Sequence, residues 1–260
     1  MTIHVQEQLK KHKEIHYPES DGKPMAETDL HREMMVHVIQ TLQAFLAGVQ
    51  AYVSGNLLIY YEEGNPKRSV APDCFVVFGV EQRRRRIYKT WEEGRGPDVV
   101  IEVTSNSTRR EDMVDKMHLY ARLGVGEYFL YDPTSDYLPQ PLIGYRLNSE
   151  RVYQPIEAEM GEHAQGNGGP TAASSFVSRL LGLRLALDRQ GTLQFYHPAT
   201  GDRILSQYEA QAKQEQARAD EERRRAKQEQ MRADEERRRA DEAEVEITRL
   251  RAELERLQSQ

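Results

Sequence analysis

The 260-residue chain carries 36 Lys+Arg against 42 Asp+Glu, a net charge of −6, with 38% hydrophobic and 30% charged residues. That balance fits a globular part diluted by a polar extension and argues against a uniformly basic coat for nucleic acid. No apolar run is long enough to span a membrane, residues 1–17 hold no apolar leader core, and the lone Cys74 excludes an internal disulfide, so a soluble cytoplasmic protein is expected.

After a polar extension over residues 1–24, helical spacing of Leu30, Met34, Met35, Val38, Ile39, Leu42, Phe45 and Leu46 predicts a helix over 29–47. Strand-like runs follow at 52–53, 57–60, 75–80, 99–104 and 128–131. A second helix is predicted over 109–123, with Thr108 and Glu111 as a capping box and Gly124 as the residue that ends it. Strand, helix and strand joined by short connections imply a right-handed crossover between neighbouring parallel strands. A hairpin is expected from 143–147 and 151–153, a loop over 163–173, and short strands at 193–196 and 203–205. The head, residues 25–201, is therefore an α/β domain.

The remainder, residues 202–260, has no Gly or Pro and carries 14 basic against 16 acidic residues. Residues 212–226 and 226–240 repeat with a period of 14, which is two heptads. Ala212, Ala219, Ala226, Ala233, Ala240, Ile247 and Leu254 fall at one core position, and Leu250 and Leu257 at the other. Glutamates fill that second position through the repeat, so the convincing seam lies in the last two heptads. The tail reads either as a solvated charged helix or as a coiled coil joining copies of the chain, with a dimer favoured.

Glu102 carries the strongest chemical signal. It sits inside the apolar run Val99, Val100, Ile101, Glu102, Val103, which reads as a strand buried on both faces. A carboxylate there must be paired, bound to a metal or protonated, because an isolated buried charge is very costly. A salt bridge to a core arginine, or a position at the open end of the strand, would also satisfy it. Asp98 lies four residues back along the same strand, about 13 Å away, too far to share one ion with Glu102. Asp73 opens a different strand and can approach Glu102 sideways, giving the hard-oxygen pair that suits Mg²⁺ or Mn²⁺.

These residues resemble a known family. Ala71-Pro72-Asp73, Pro97-Asp98-Val99-Val100-Ile101-Glu102-Val103 and Ser105-Asn106-Ser107-Thr108 look like the Uma-two family of "putative restriction endonucleases" in the PD-(D/E)XK nuclease superfamily. Lys116, Tyr120, Gly124-Val125, Glu127-Tyr128 and Asp132-Pro133 continue the match. The resemblance implies a restriction-endonuclease-like mixed sheet flanked by helices. It makes Asp73 and Glu102 the acidic residues of the motif. Thr104 stands where the motif has lysine, and the family resemblance moves that role to Lys116 on the following helix. Lys116 also reads as a helix-surface lysine beside Asp112 or Asp115.

The implied activity is Mg²⁺-dependent hydrolysis of DNA phosphodiester bonds. Asp73 and Glu102 would bind the ion, and Lys116 would position water or stabilise charge on the phosphate. The run Gln82 to Lys89 places Arg83, Arg84, Arg85 and Arg86 beside a tyrosine. It reads as a phosphate-tracking strip or as a solvated loop balanced by Glu81, Glu92 and Glu93. Backbone N–H groups of 107–110 could hold an anion or simply cap a helix. His31 and His37 are expected on the polar face of the first helix, Glu27 or Asp29 could add an acidic group, and Cys74 reads as a small core residue. A nuclease fold without turnover, acting as a scaffold through its tail, is the alternative.

Overall fold

The computed structural model describes residues 15–20, 22, 28–159 and 175–258. The predicted loop over 163–173, most of the N-terminal extension, and Glu27 lie outside these residues. The chain divides into two compact units, 1–207 and 208–260.

The first unit is a mixed α/β domain. Helix α1 (Asp29–Phe45) is followed by β1 (Ala51–Ser54), β2 (Ile59–Tyr60), β3 (Ser69–Val70), β4 (Cys74–Phe78) and β5 (Tyr88–Lys89). Then come α2 (Thr90–Glu93), β6 (Val99–Val103), a π-helical turn (Glu111–Lys116), α3 (Met117–Leu123) and β7 (Glu127–Tyr131). Strands β8 (Leu142–Leu147), β9 (Tyr153–Pro155), β10 (Phe176–Ser178), β11 (Leu183–Leu187) and β12 (Leu193–Tyr196) complete it.

The main sheet has the order β1-β4-β6-β7-β8-β9. Only β6 and β7 run parallel, joined by the crossover that contains α3. The other neighbours are antiparallel. Every residue of β6 and β7 is buried, which explains why both are apolar apart from Glu102 and Glu127. On β6, Val99, Ile101 and Val103 face a core built with α1 and the β10-β11-β12 sheet. Val100 faces the opposite core, which contains Tyr120 of α3 and residues of the small β3-β2-β5 sheet. Glu102 shares the face of Val100, because side chains alternate along a strand.

Several expectations are corrected. The hydroxyl of Thr108 accepts from the Ser105 N–H instead of capping Glu111. The following turn is π-helical, and no side-chain cap precedes it. Residues 203–205 form no strand, only a bridge between Tyr196 and Arg203. Gly124 does end α3, in the left-handed conformation at φ 80°.

The described residues of the second unit lie within α4 (Gln207–Gln258), a single helix of 52 residues. At about 1.5 Å per residue it spans roughly 80 Å. Ile247, Leu250 and Leu254 are each at least half exposed along it. No helix among the described residues is long and apolar enough to cross a membrane.

Candidate active site

The antiparallel register pairs Cys74 with Ile101 and Phe75 with Val100. One step further it sets Asp73 opposite Glu102. Two hydrogen bonds tie these residues together across the strands. The Asp73 N–H donates to Glu102 Oε2 at 3.0 Å, and the Val103 N–H donates to Asp73 Oδ2 at 2.8 Å. The loop before β4 is held by a close approach that only glycine permits. A Cβ on Gly55 would stand 1.9 Å from the Asp73 carbonyl oxygen, and the neighbouring Asn56 N–H donates to the Pro72 carbonyl.

Helix α3 and the turn before it cover Glu102. Lys116 Nζ lies 3.1 Å from Glu102 Oε1 and 2.9 Å from Asp112 Oδ1. The Tyr120 O–H donates to the same Glu102 Oε1 at 2.6 Å. Asp112, Lys116 and Tyr120 are spaced four apart. An α-helix has 3.6 residues per turn and a π-helix more, so one π turn followed by one α turn keeps all three in line. The Tyr128 O–H donates to the Asp112 carbonyl and anchors the widened turn.

From the opposite side, α1 brings His31, whose Nε2 lies 3.4 Å from Asp73 Oδ2. The Thr28 hydroxyl accepts from the His31 N–H and starts the helix there. His31 is buried, so its expected place on a polar face is corrected. The spacing 31, 35, 38, 42 puts it in one stripe with Met35, Val38 and Leu42. His37 instead reaches the Leu193 carbonyl. Asp29 points outward in an exposed pair with Arg32 and adds nothing to the site.

The charges divide unequally. Burial pushes Glu102 up to about 8, reinforced by Asp73 and Asp112 and opposed by Lys116 and the Tyr120 hydroxyl. Burial would raise Asp73 too, but the His31 hydrogen bond, Lys116 and the Val103 N–H outweigh it and hold Asp73 below the usual carboxylate range. Burial would depress Lys116, yet its three carboxylate neighbours together raise it. Asp112 is raised by burial, offset in part by Lys116 and Thr108. Near neutrality the site therefore holds one ionised carboxylate, Asp73, and another, Glu102, that resists ionisation, beside a firmly charged ammonium.

Asp98 lies at the other end of β6, where Arg95 and the Phe78 N–H engage its oxygens. Cys74 is fully buried, and burial pushes its thiol up. Asp132 accepts from Thr134, Ser135, Tyr137 and Leu138 and organises a turn. Glu127 binds Arg146 and the Ser178 hydroxyl, tying the main sheet to β10.

One arginine of the run is built into the fold, and two more form exposed ion pairs. Arg85 makes a bidentate pair with Glu93, and its side chain is 3% exposed. Its guanidinium stacks 4.1 Å from the Tyr52 ring centre. Arg83 also binds Glu93, and Arg86 binds Glu19. Arg84, Arg109 and Arg110 are exposed, and none of them forms an ion pair among the described residues.

The donor set fits a hard divalent cation. Asp73 and Glu102 present carboxylate oxygens side by side, and Mg²⁺ takes one or two carboxylates with waters and phosphate oxygens completing its shell. Among the described residues no group of three or more His, Cys, Asp or Glu is arranged to hold a metal ion.

No curated protein matches the chain. Among solved structures, similarity is found to a "putative nuclease belonging to DUF820 from Anabaena variabilis ATCC 29413". That match has a TM-score of 0.39 and 16% identity over 54% of this chain and 73% of the other. The Uma2 (Uma-two) family, described as "putative restriction endonuclease", matches residues 5–174. With well over half of its length covered by that match, the chain belongs to the Uma2 family.

Proposed function

We propose that the protein is a divalent-cation-dependent endonuclease that hydrolyses DNA phosphodiester bonds. Its catalytic residues are Asp73, Glu102 and Lys116. The observation that carries this reading is the cross-strand pairing of Asp73 with Glu102 under the Lys116 ammonium.

Asp73 and Glu102 would hold Mg²⁺, or Mn²⁺ in its place. When bound, such an ion polarises a phosphoryl oxygen and lowers the pKa of a coordinated water. The protein contributes preorganisation. The Tyr120 hydroxyl and the Asp73 N–H fix one Glu102 oxygen each, and His31 with the Val103 N–H fix Asp73. Lys116 keeps a positive charge beside the carboxylates, where negative charge builds on the attacked phosphate and costs least if the counter-charge is already in place. Arg84, Arg109 and Arg110, exposed and in no ion pair among the described residues, are suited to a phosphate backbone. A second copy joined through α4 would allow both strands of a duplex to be cut, and the exposed Ile247, Leu250 and Leu254 supply the seam.

A second reading keeps the fold and drops the turnover. Glu102 Oε1 is already engaged by both Lys116 and Tyr120, and Thr104 stands where the superfamily motif has lysine. The chain would then act as a scaffold through α4.

Incubating supercoiled plasmid with wild type, Glu102→Gln and Lys116→Met, in Mg²⁺ and in Mn²⁺, separates the two. Nicking by wild type alone supports the endonuclease. Wild type that nicks in neither ion, on DNA or on a matched RNA, sinks it and leaves the scaffold.

A further inference from the structure

Asp112 is buried at the site without belonging to the carboxylate pair that faces it. Its side chain is fully covered, yet burial makes an aspartate costly unless something compensates. Its compensation is Lys116, whose single ammonium lies between Asp112 Oδ1 at 2.9 Å and Glu102 Oε1 at 3.1 Å. One cation thus serves two buried acids. An ordinary helix would gain an i, i+4 pair of this kind on its exposed face without hiding either partner. Here the fold goes further. The π turn over Glu111–Lys116, anchored by the Tyr128 hydroxyl on the Asp112 carbonyl, turns Asp112 inward.

A divalent cation held by Asp73 and Glu102 would contest Glu102 with Lys116, since two positive charges repel across so short a distance. If Lys116 had no other anion within reach, its ammonium would either keep Glu102 or leave the site. Asp112 gives it a second place to stay.

We infer that Asp112 is a positioning residue: it takes over the Lys116 ammonium when Glu102 is given up to the ion, so that ion and lysine can occupy the site together. The inference rests on the ion-binding reading proposed above. It predicts a coupling between Asp112 and Lys116 in ion affinity. An additional negative charge or a third ion ligand at position 112 would act regardless of which residue stands at 116.

The test is calorimetric titration of Mn²⁺ into the full chain as wild type, Asp112→Asn, Lys116→Met and the double variant, with folding checked by circular dichroism. Asp112→Asn should weaken Mn²⁺ binding by about 10- to 100-fold, the usual cost of removing a group that orients a metal site. In the Lys116→Met background the same change should have almost no effect. An equal loss in both backgrounds overturns the inference while leaving the ion site standing. Wild type that binds no Mn²⁺ removes the ion site and the inference with it. A crystal structure of wild type grown with Mn²⁺ tests the point without any variant. Lys116 Nζ should lie within hydrogen-bond reach of Asp112 and out of reach of Glu102, and an ammonium still on Glu102 refutes the exchange.

Discussion

Asp73, immediately before β4, stands opposite Glu102 on β6; the Asp73 N–H donates to Glu102, and the Val103 N–H of β6 donates to Asp73. The sheet's hydrogen bonding therefore holds the two carboxylates in place as well as the strands. Exchanging either acid for its amide keeps the shape and removes the charge. Asp73→Asn and Glu102→Gln should each lower plasmid nicking by roughly 100-fold or more, as loss of several kcal/mol of charge stabilisation implies. Activity within a few-fold of wild type in both variants would place the chemistry elsewhere.

Gly55 governs how the loop before β4 sits. Its Cβ position is 1.9 Å from the Asp73 carbonyl and 2.6 Å from the Ile39 side chain, so Gly55→Ala must push α1 and the Asp73 loop apart. The expected cost is about 1–3 kcal/mol in urea unfolding, with a loss of nicking greater than stability alone explains. An unchanged midpoint would show that this contact relaxes freely.

Glu102 should make stability depend on pH. Its carboxyl titrates near 4.5 when unfolded and near 8 when folded, because burial disfavours the charge. Between those values the native chain holds a proton that the unfolded chain has lost, so stability falls as pH rises through this window and levels off above it. Glu102→Gln has no such proton. Measured in chelator, it should gain on the order of 2 kcal/mol relative to wild type between pH 5 and pH 9. A difference that stays flat, or reverses, would show that Glu102 is ionised throughout.

The arginines should separate into two kinds. Arg85→Ala removes the bidentate partner of Glu93, leaving it only the exposed Arg83, and removes the stack on Tyr52, and should cost roughly 3 kcal/mol of stability. Arg84→Ala and the pair Arg109→Ala/Arg110→Ala should leave the melting temperature unchanged. If they touch phosphates, each lost contact flattens the salt dependence of duplex binding by about one unit in log–log slope. Binding in chelator across a salt series reads this directly. A slope identical to wild type in both variants would remove these three arginines from the interface.

The tail should govern assembly. Ile247, Leu250 and Leu254 are exposed in the single chain, and replacing all three with Ser should convert a dimer to monomer by light scattering. A chain that is monomeric before the change contradicts the seam.

Much of this was written in local sequence. Period-3.6 spacing marked α1, near-continuous apolar runs marked β6 and β7, and the absence of Gly and Pro marked α4, because each pattern reports burial or propensity within one segment. Asp73, Glu102 and Lys116 could be singled out from residue type and family resemblance alone. Their meeting depended on tertiary structure. A register of two strands separated by some 25 residues set Asp73 against Glu102, and a π turn, invisible to periodic spacing, brought Asp112 inward with Lys116. His31 was half-legible: it begins the same stripe as Met35, Val38 and Leu42, but a histidine in an apolar stripe has a reason only once Asp73 is seen facing it. The arginine run shows the converse. Four like charges in sequence read as a strip for phosphate or as a solvated loop, whereas folding pairs Arg83 and Arg85 with Glu93 and Arg86 with Glu19, and stacks Arg85 on Tyr52. Sequence determines which segments can be buried and which side chains carry chemistry. Only the packing of distant segments decides which charges meet, because a buried charge takes whatever partner the fold places within hydrogen-bond reach.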